Sequence, residues 1–468
     1  MKAKLITQKA LEKLKSNTKK AINRSLDRHV KLAVTGFSGS GKTAFITALV
    51  KHLTSQANKK NLPFFDVVRE QRLIAAKQVP QRALDIPTFD YQSAVACLLA
   101  DEPKWPPSTE RINTLTLAIK FETQHGIKQH LSADSTLYLE LIDYPGEWLA
   151  DLPMMSQDYK AWSEAMLALL KADAYKPYSQ EFLSLLADFN STEQVDEQVL
   201  KTLADSYQNV LTTLKKNTHL AQLQPGRMLI PGDLAGAPIL LFFPVDAQAH
   251  GGDNSQYQQL QARFEAYKQQ VVTPFYKQHF CQFDRQLVLV DVLSALNDGP
   301  DTLREQQEAI GHVMQVFNYG KSGLLKRLFY PKIDKVLFAA NKCDHVSPSQ
   351  QADIALLLND MLGGHSNDLR FAGVAVDTMA ISSVQSTQVK RVQEGGQSLE
   401  CVYGKVLAED GWTTYLPPQP PNHCLTAQQW PEQGFEFLSF SPLKAEKGEL
   451  GHIRLDHTLQ FLIGDKLA

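Results

Sequence analysis

One segment constrains this chain more than any other: residues 36–43 read GFSGSGKT and match the pattern G-x-x-x-x-G-K-[ST] in full. The three glycines let the backbone curl so that several N–H groups converge on phosphate oxygens. The apolar run before the segment predicts a strand over residues 30–35. The run after it predicts a helix over residues 45–53, whose positive end would face the same anion. The segment therefore predicts a phosphate-binding loop (P-loop) for a nucleoside triphosphate.

The side chains of the P-loop have distinct expected roles. Lys42 is predicted to contact the β- and γ-phosphates, which makes it a catalytic as well as a binding residue. The Thr43 hydroxyl is predicted to bind Mg²⁺, and the remaining contacts come from the backbone. The residues predicted to bind the nucleotide in this segment are Gly36, Ser38, Gly39, Ser40, Gly41, Lys42, Thr43 and Ala44.

A second motif, LELIDYPGE at residues 139–147, places an acid at the end of an apolar strand. Asp143 in that position can hold Mg²⁺ through water, opposite the P-loop threonine. Gly146 would let a backbone amide approach the γ-phosphate. Glu147 either orients the attacking water or is structural, and the sequence leaves both roles open. Asp291 also ends an apolar run, but it lacks the following Pro-Gly pair and is predicted to be structural.

A third motif, NKCD at residues 341–344, follows the apolar run 336–340 directly. The Asp344 carboxylate can accept hydrogen bonds from guanine N1–H and N2–H₂, which adenine cannot offer. Asn341 is expected to brace the P-loop, and the stem of Lys342 is expected to lie over the base. The motif therefore favours guanine over adenine.

Further candidates complete the predicted site. Thr109, in the loop before the strand predicted over residues 115–121, is the candidate switch I ligand of Mg²⁺, with Ser108 as the alternative, and a capping role is an equally open interpretation. Ser382 and Ser383 follow the last predicted strand, where the backbone is expected to support the guanine base. Arg111 is interpreted as a surface salt-bridge residue rather than as a catalytic cation.

Elsewhere the chain alternates between strand-like and helix-like patterns. Residues 115–121 and 137–142 predict an antiparallel hairpin. Further buried strands are predicted over residues 239–243, 287–293, 336–340 and 372–381. Strands that alternate with helices indicate a mostly parallel sheet covered on both faces. The predicted fold is therefore a three-layer α/β P-loop NTPase fold with a helical insertion and a C-terminal β-rich appendage.

The order of the three motifs resembles that of the GTPase branch of P-loop NTPases. More narrowly, the chain resembles the YcjX-like family of bacterial stress-associated nucleotidases. Besides the P-loop, the resemblance is carried by WPPST at 105–109, LIDYPGEWL at 141–149, LVDVLSALNDGP at 289–300 and RLDHTLQFLIGDKL at 454–467. It implies a G-domain-like fold, Mg²⁺-dependent hydrolysis of GTP to GDP and phosphate, and a nucleotide-switched role in stress response. An ATPase of the same class, or a scaffold that holds nucleotide without turnover, remains an alternative.

The resemblance and the patterns together divide the chain into predicted segments. These are a basic N-terminal helix (1–29), a G domain in two parts (30–149 and 228–395), the helical insertion (150–227) and the C-terminal appendage (396–468). The expected partners are GTP or GDP and an unidentified effector or activating protein.

Composition bears on location and on further partners. The 468 residues carry a formal net charge of −2, which gives no indication of nucleic-acid binding. The five cysteines are scattered, as expected in a reducing cytoplasm, and no apolar run is long enough to span a membrane. Residues 1–28 are rich in Lys and Arg. They are interpreted either as a solvated helix packed on its own domain or as a helix at an anionic inner-membrane surface.

Overall fold

The computed structural model describes residues 28–36, 39–55, 58–123, 134–218, 220, 223–246, 252–318, 333–407 and 411–468. The basic segment that precedes residue 28, with its membrane hypothesis, therefore lies outside the described residues, and so does Ser38 of the P-loop. No helix within these ranges combines the length and the apolar character needed to cross a lipid bilayer.

The described strands form a large mixed sheet and a small antiparallel one. The large sheet has the order β2-β3-β4-β1-β5-β6-β7. Its strands are β1 (Arg28–Gly36), β2 (Leu73–Val79), β3 (Asn113–Glu122), β4 (Asp134–Asp143), β5 (Arg285–Val290), β6 (Lys335–Ala340) and β7 (Ala375–Ala380). Strands β4, β1, β5, β6 and β7 are parallel to one another, whereas β3 is antiparallel to both β4 and β2.

Burial explains the character of the central strands. Every residue of β5 is buried, because helices cover both faces of a parallel sheet, and its last four residues, 287–290, are accordingly all apolar. The antiparallel pairing predicted for residues 115–121 and 137–142 is confirmed by β3 and β4, where Leu117 lies opposite Leu139. The carboxyl ends of β1, β4 and β6 meet at one edge of the sheet, and the three motifs follow those ends.

Helices pack on both faces of the large sheet, and two hydrophobic clusters divide the core between these faces. Among the described residues, the α-helices before β5 begin with α1 (Lys42–Thr54), α2 (Asn58–Asn61), α3 (Asp66–Arg69) and α4 (Tyr91–Leu99). Those that follow β5 are α11 (Val292–Asp298), α12 (Pro300–Asn318), α13 (Gln351–Leu362), α14 (His365–Phe371) and α15 (Leu455–Ile463). The α/β architecture with a mostly parallel sheet therefore agrees with the predicted fold class.

A helical region lies between β4 and β5. After the 3₁₀ segment Gly146–Ser156 come α5 (Tyr159–Lys171), α6 (Lys176–Ala187), α7 (Glu197–Asn217), α8 (Gly226–Leu229), α9 (Gln256–Tyr267) and α10 (Thr273–Gln278), with a π-helical turn over Lys268–Val272. The strand predicted over residues 239–243 is wrong, because a 3₁₀ turn over Pro238–Leu240 and irregular backbone occupy this region. The segment is apolar for a reason other than strand formation, because Phe242 and Phe243 are buried in the aromatic core of the helical region.

The small sheet consists of β8 (Thr387–Glu394), β9 (Gln397–Lys405) and β10 (Trp412–Tyr415). It starts before residue 396, inside the range predicted to belong to the G domain. The chain then returns to the large sheet, since the buried residues of α15 belong to the same hydrophobic cluster as β1 and α1. Arg285 of β5 donates from Nε to the carbonyl oxygen of Leu462 at 3.0 Å. The C-terminal residues are therefore built into the main core.

Candidate nucleotide-binding site

The P-loop joins β1 to α1 at the carboxyl edge of the sheet. Gly39 and Gly41 have φ angles of 75° and 87°, in the left-handed region that favours glycine. A Cβ on Gly41 would also lie 2.6 Å from Nδ2 of Asn341. Glycine at position 41 is thus required both by the backbone angle and by the close approach of the third motif. The N-terminus of α1, which begins at Lys42, has its free N–H groups at this loop.

The Lys42 ammonium lies beside Gly36, at the end of the site where the P-loop pattern places the phosphates and which we call the phosphate end. Its Nζ donates to the carbonyl oxygen of Gly36 at 2.8 Å. Burial lowers the pKa of Lys42, although the carboxylates of Glu147 and Asp143 act in the opposite direction. The result is a half-buried cation held close to two acids, in the place where the P-loop pattern expects the lysine that contacts the β- and γ-phosphates.

Three oxygen-bearing side chains converge beside the start of α1. The Thr109 hydroxyl donates to Asp143 Oδ2 and lies 3.3 Å from Thr43 Oγ1. The other oxygen of Asp143, Oδ1, is buried without a hydrogen-bond partner among the described residues. Burial raises the pKa of Asp143 to about 6, against the effects of the Thr109 hydroxyl and Lys42. Two hydroxyls and a carboxylate form an oxygen donor set suited to Mg²⁺.

Glu147 lies in the 3₁₀ segment that connects β4 to the helical region. Its Oε1 lies 2.8 Å from Nζ of Lys215, a residue of α7 that had no predicted role. Burial by itself would raise the pKa of Glu147, but Lys42 and Lys215 outweigh it and the pKa is lowered. Glu147 is therefore a buried anion flanked by one cation from the P-loop and one from the helical region.

The third motif braces the P-loop from the next strands of the sheet. Asn341 follows β6, and its Nδ2 donates to the carbonyl oxygen of Ser40 at 2.8 Å. Its Oδ1 accepts from the backbone N–H and the hydroxyl of Ser383 at 3.1 and 3.0 Å. One buried amide thus links the P-loop to the segment after β7.

Asp344 presents its two carboxylate oxygens to different surroundings. Oδ2 accepts from the backbone N–H and the hydroxyl of Ser386 at 2.6 and 2.7 Å, and from the backbone N–H of Thr387 at 3.1 Å. Oδ1 is buried and has no partner among the residues that the structure describes. Leaving a buried acceptor unpaired costs about 1–3 kcal/mol. The side chain lines a cavity, so a ligand with suitable donors can recover that free energy.

Lys342 adopts a left-handed backbone conformation with φ 65°, which costs a non-glycine residue about 1–2 kcal/mol. Its ammonium pairs with Oδ2 of Asp291, and Asp291 also caps α11 by accepting from the backbone N–H of Ser294 at 3.2 Å. This arrangement supports the structural role predicted for Asp291, since the acid holds the head group of Lys342, a residue that lines the cavity.

The cavity between the P-loop and the third motif has a volume of about 270 Å³. Residues that carried no site prediction also line the cavity, among them Trp105, His345, Leu407 and Phe440. Trp105 donates from Nε1 to the carbonyl oxygen of Phe440 at 2.8 Å, and the Phe440 ring packs edge-on against His345 at 5.2 Å. Trp105 lies within the distinctive WPPST segment, which was a usable signal, whereas nothing near Phe440 in the sequence indicated a site.

The predicted site residues divide into three groups. Those that line the cavity are Gly39, Ser40, Gly41, Lys42, Thr43, Ala44, Thr109, Asn341, Lys342, Asp344 and Ser383. Those that adjoin its phosphate end without lining it are Gly36, Asp143, Gly146 and Glu147. Ser382 is turned away, because its hydroxyl donates to the carbonyl oxygen of Val384 at 3.1 Å and its backbone pairs with Ile453. Arg111 is exposed and does not line the cavity.

Gly146 lies against the first glycine of the P-loop, which gives a test of the site. A Cβ at position 146 would lie 1.9 Å from the Gly36 carbonyl oxygen and 3.2 Å from Lys42 Nζ. Gly146→Ala must therefore push the two motifs apart, and we expect phosphate release to fall by about a hundredfold, the effect of a 1 Å misplacement. Gly364→Ala is the matched control, since a Cβ there meets no atom within 4 Å. Normal turnover in Gly146→Ala would show that this contact is unimportant.

The fold and the site together define an α/β protein in which a glycine-rich segment of the P-loop pattern joins β1 to α1. The model of the YcjX-like family, DUF463, matches residues 30–467, and the chain belongs to that family. Two similar relatives are both named Ras-like GTPase YcjX. The protein from Shewanella oneidensis is 42% identical across 98% of this chain and 99% of the relative. The protein from Escherichia coli is 40% identical across 98% of this chain and the whole of the relative.

Proposed function

We propose that this protein binds GTP with Mg²⁺ and hydrolyses it to GDP and phosphate. The observation that carries the proposal is the buried Oδ1 of Asp344, which has no partner among the described residues and belongs to a residue that lines the cavity. Guanine offers N1–H and N2–H₂ to such an acceptor, whereas adenine offers neither donor in that position. The names of the two relatives support the same choice of nucleotide.

The phosphate end suits a magnesium ion. Thr43, Thr109 and Asp143 are the residues that would hold it, directly or through water, and the unpaired Oδ1 of Asp143 is an acceptor that a metal-bound water could satisfy. The metal would supply electrostatic stabilisation of the negative charge on the phosphates. Protonated Asp143 would bind a metal poorly, so its raised pKa makes a neutral or alkaline pH favourable for binding.

The remaining residues have roles that follow from their positions. Lys42 would transfer its hydrogen bond from the Gly36 carbonyl oxygen to a phosphate oxygen, which stabilises the charge there. The backbone amide of Gly146 would bind the γ-phosphate, and the Glu147 carboxylate would orient the attacking water. Because Thr109 lies in the loop before β3 and Gly146 begins the 3₁₀ segment after β4, the γ-phosphate would order both segments and its loss would release them. A switching role in stress response is the corresponding biological proposal, with the effector still to be identified.

Competition and turnover measured side by side test this proposal. The probe is fluorescent GDP bound to the purified protein, displaced by GTP or by ATP in the presence of Mg²⁺. We expect GTP to displace it at least about a hundredfold better than ATP, because ATP leaves the buried Asp344 acceptor unpaired. Phosphate release should require both GTP and Mg²⁺ and should stop with EDTA. Preference for ATP would favour the ATPase alternative, and tight GTP binding without phosphate release would favour the scaffold.

A further inference from the structure

The helical region contributes a cation next to the phosphate end of the site. Lys215 lies near the C-terminus of α7, where its ammonium is 2.8 Å from Oε1 of Glu147. The side chain of Glu147 is 11% exposed and that of Lys215 is 29% exposed, so the pair is largely withdrawn from water. Its electrostatic attraction is consequently stronger than that of a surface ion pair.

The position of Glu147 explains why its charge has to be offset by Lys215. Glu147 directly follows Gly146, whose backbone packs on Gly36 and lies close to Lys42 Nζ. A carboxylate at this point faces the place where the P-loop pattern puts the γ-phosphate. The Mg²⁺ that the proposed function places at Asp143 would offset part of the phosphate charge, but it leaves Glu147 with only the Lys42 ammonium, which Asp143 and the phosphates share. Without a cation of its own, Glu147 would repel the phosphate that the site has to bind.

We propose that Lys215 is a positioning residue of the γ-phosphate site: it neutralises and holds Glu147, so that a triphosphate can bind beside that carboxylate. The inference rests on the proposed function and deepens it, because it makes the helical region part of the nucleotide site. A diphosphate leaves the γ-phosphate position empty and is less affected by the charge of Glu147. Lys215 therefore sets the preference for GTP over GDP, and the end of α7 responds to the presence of the γ-phosphate.

Binding of two nucleotides to four variants tests the proposal. The variants are Lys215→Met, which keeps the aliphatic stem, Glu147→Gln, the double variant, and Lys216→Met as a control on the neighbouring exposed lysine. Calorimetric titrations with Mg²⁺ use GDP and a non-hydrolysable GTP analogue. We expect Lys215→Met to weaken binding of the analogue about tenfold while GDP changes by less than about twofold. The double variant should recover the lost affinity, because no unpaired carboxylate remains, and Lys216→Met should behave as the parent does.

The recovery distinguishes this role from a merely structural one. If removal of Lys215 only loosened α7, Glu147→Gln would not restore binding of the analogue, and both nucleotides would be affected alike. Either outcome would overturn the proposal. Failure of the parent protein to bind the analogue at all would instead contradict the proposed function. Melting temperatures establish that each variant is folded, and Lys215→Gln replaces Lys215→Met if the latter is not.

Discussion

Asp344→Asn is expected to lose GTP and to gain XTP. Guanine presents N1–H and N2–H₂ to the carboxylate, and the substitution replaces one acceptor oxygen by an NH₂ donor. The NH₂ group of the variant then faces a guanine N–H group, and both donors remain buried without an acceptor. The cost is about 2–4 kcal/mol, or roughly thirty- to a thousandfold in affinity for GTP. Xanthine carries a carbonyl where guanine has its amino group, so it offers an acceptor to the new amide.

The structure determines which way the new amide points. Oδ2 of Asp344 accepts from two backbone N–H groups, those of Ser386 and Thr387, and from the Ser386 hydroxyl. An NH₂ group in that position would face two donors that cannot be reoriented. The amide oxygen of the variant must therefore take the place of Oδ2, and the NH₂ group must take the place of the unpaired Oδ1.

Displacement of fluorescent GDP and fluorescent XDP by their triphosphates measures this exchange of specificity. Asp368→Asn makes the same chemical change at an exposed position of α14 and should leave both affinities unaltered. General damage to the fold would weaken GTP without improving XTP. Unchanged affinity of Asp344→Asn for GTP would show that residues 341–344 do not form the base site, and the ATPase alternative would then lead.

Lys42→Ala is expected to abolish hydrolysis while the protein stays folded. The substitution removes the cation that the P-loop directs at the phosphates, and loss of a single stabilising donor already lowers turnover by about a hundred- to a thousandfold. It also leaves Asp143 and Glu147 without the cation that they share. The fold should persist because burial of the ammonium is itself unfavourable, as its lowered pKa indicates.

Phosphate release from GTP under single-turnover conditions measures the loss, and a thermal melt shows whether the variant is folded. Lys51→Ala is the control, since Lys51 lies in the last turn of the same helix, away from the phosphate end. Thr43→Ala should also stop turnover, and in this variant a large excess of Mg²⁺ should restore part of it. Full activity in Lys42→Ala would remove the P-loop from the mechanism.

Much of the candidate site is predictable because of the geometry of parallel strands. The P-loop, Asp143 and Asn341 lie at the carboxyl ends of β1, β4 and β6, and parallel strands bring these ends to one edge. Each motif therefore needs only to be recognised next to an apolar run for its location to follow. The hairpin of β3 and β4 is predictable for a similar reason, since alternation of side chains indicates a strand before any contact is known.

The sequence by itself could not distinguish a buried strand from buried irregular backbone. Residues 239–243 are as apolar as a central strand because Phe242 and Phe243 fill the aromatic core of the helical region. The apolar residues of this segment reflect burial. A short apolar run does not indicate whether its backbone is hydrogen-bonded to neighbouring strands.

By itself, the sequence determined the class of the fold and the local chemistry of the three motifs, because glycine angles, strand ends and donor patterns depend on neighbouring residues. Only the tertiary structure decided what surrounds them. Lys215 reaches Glu147 from 68 positions along the chain, and Phe440 reaches Trp105 across most of its length. Such contacts follow from how helices and loops pack over the sheet, and no local pattern encodes that packing.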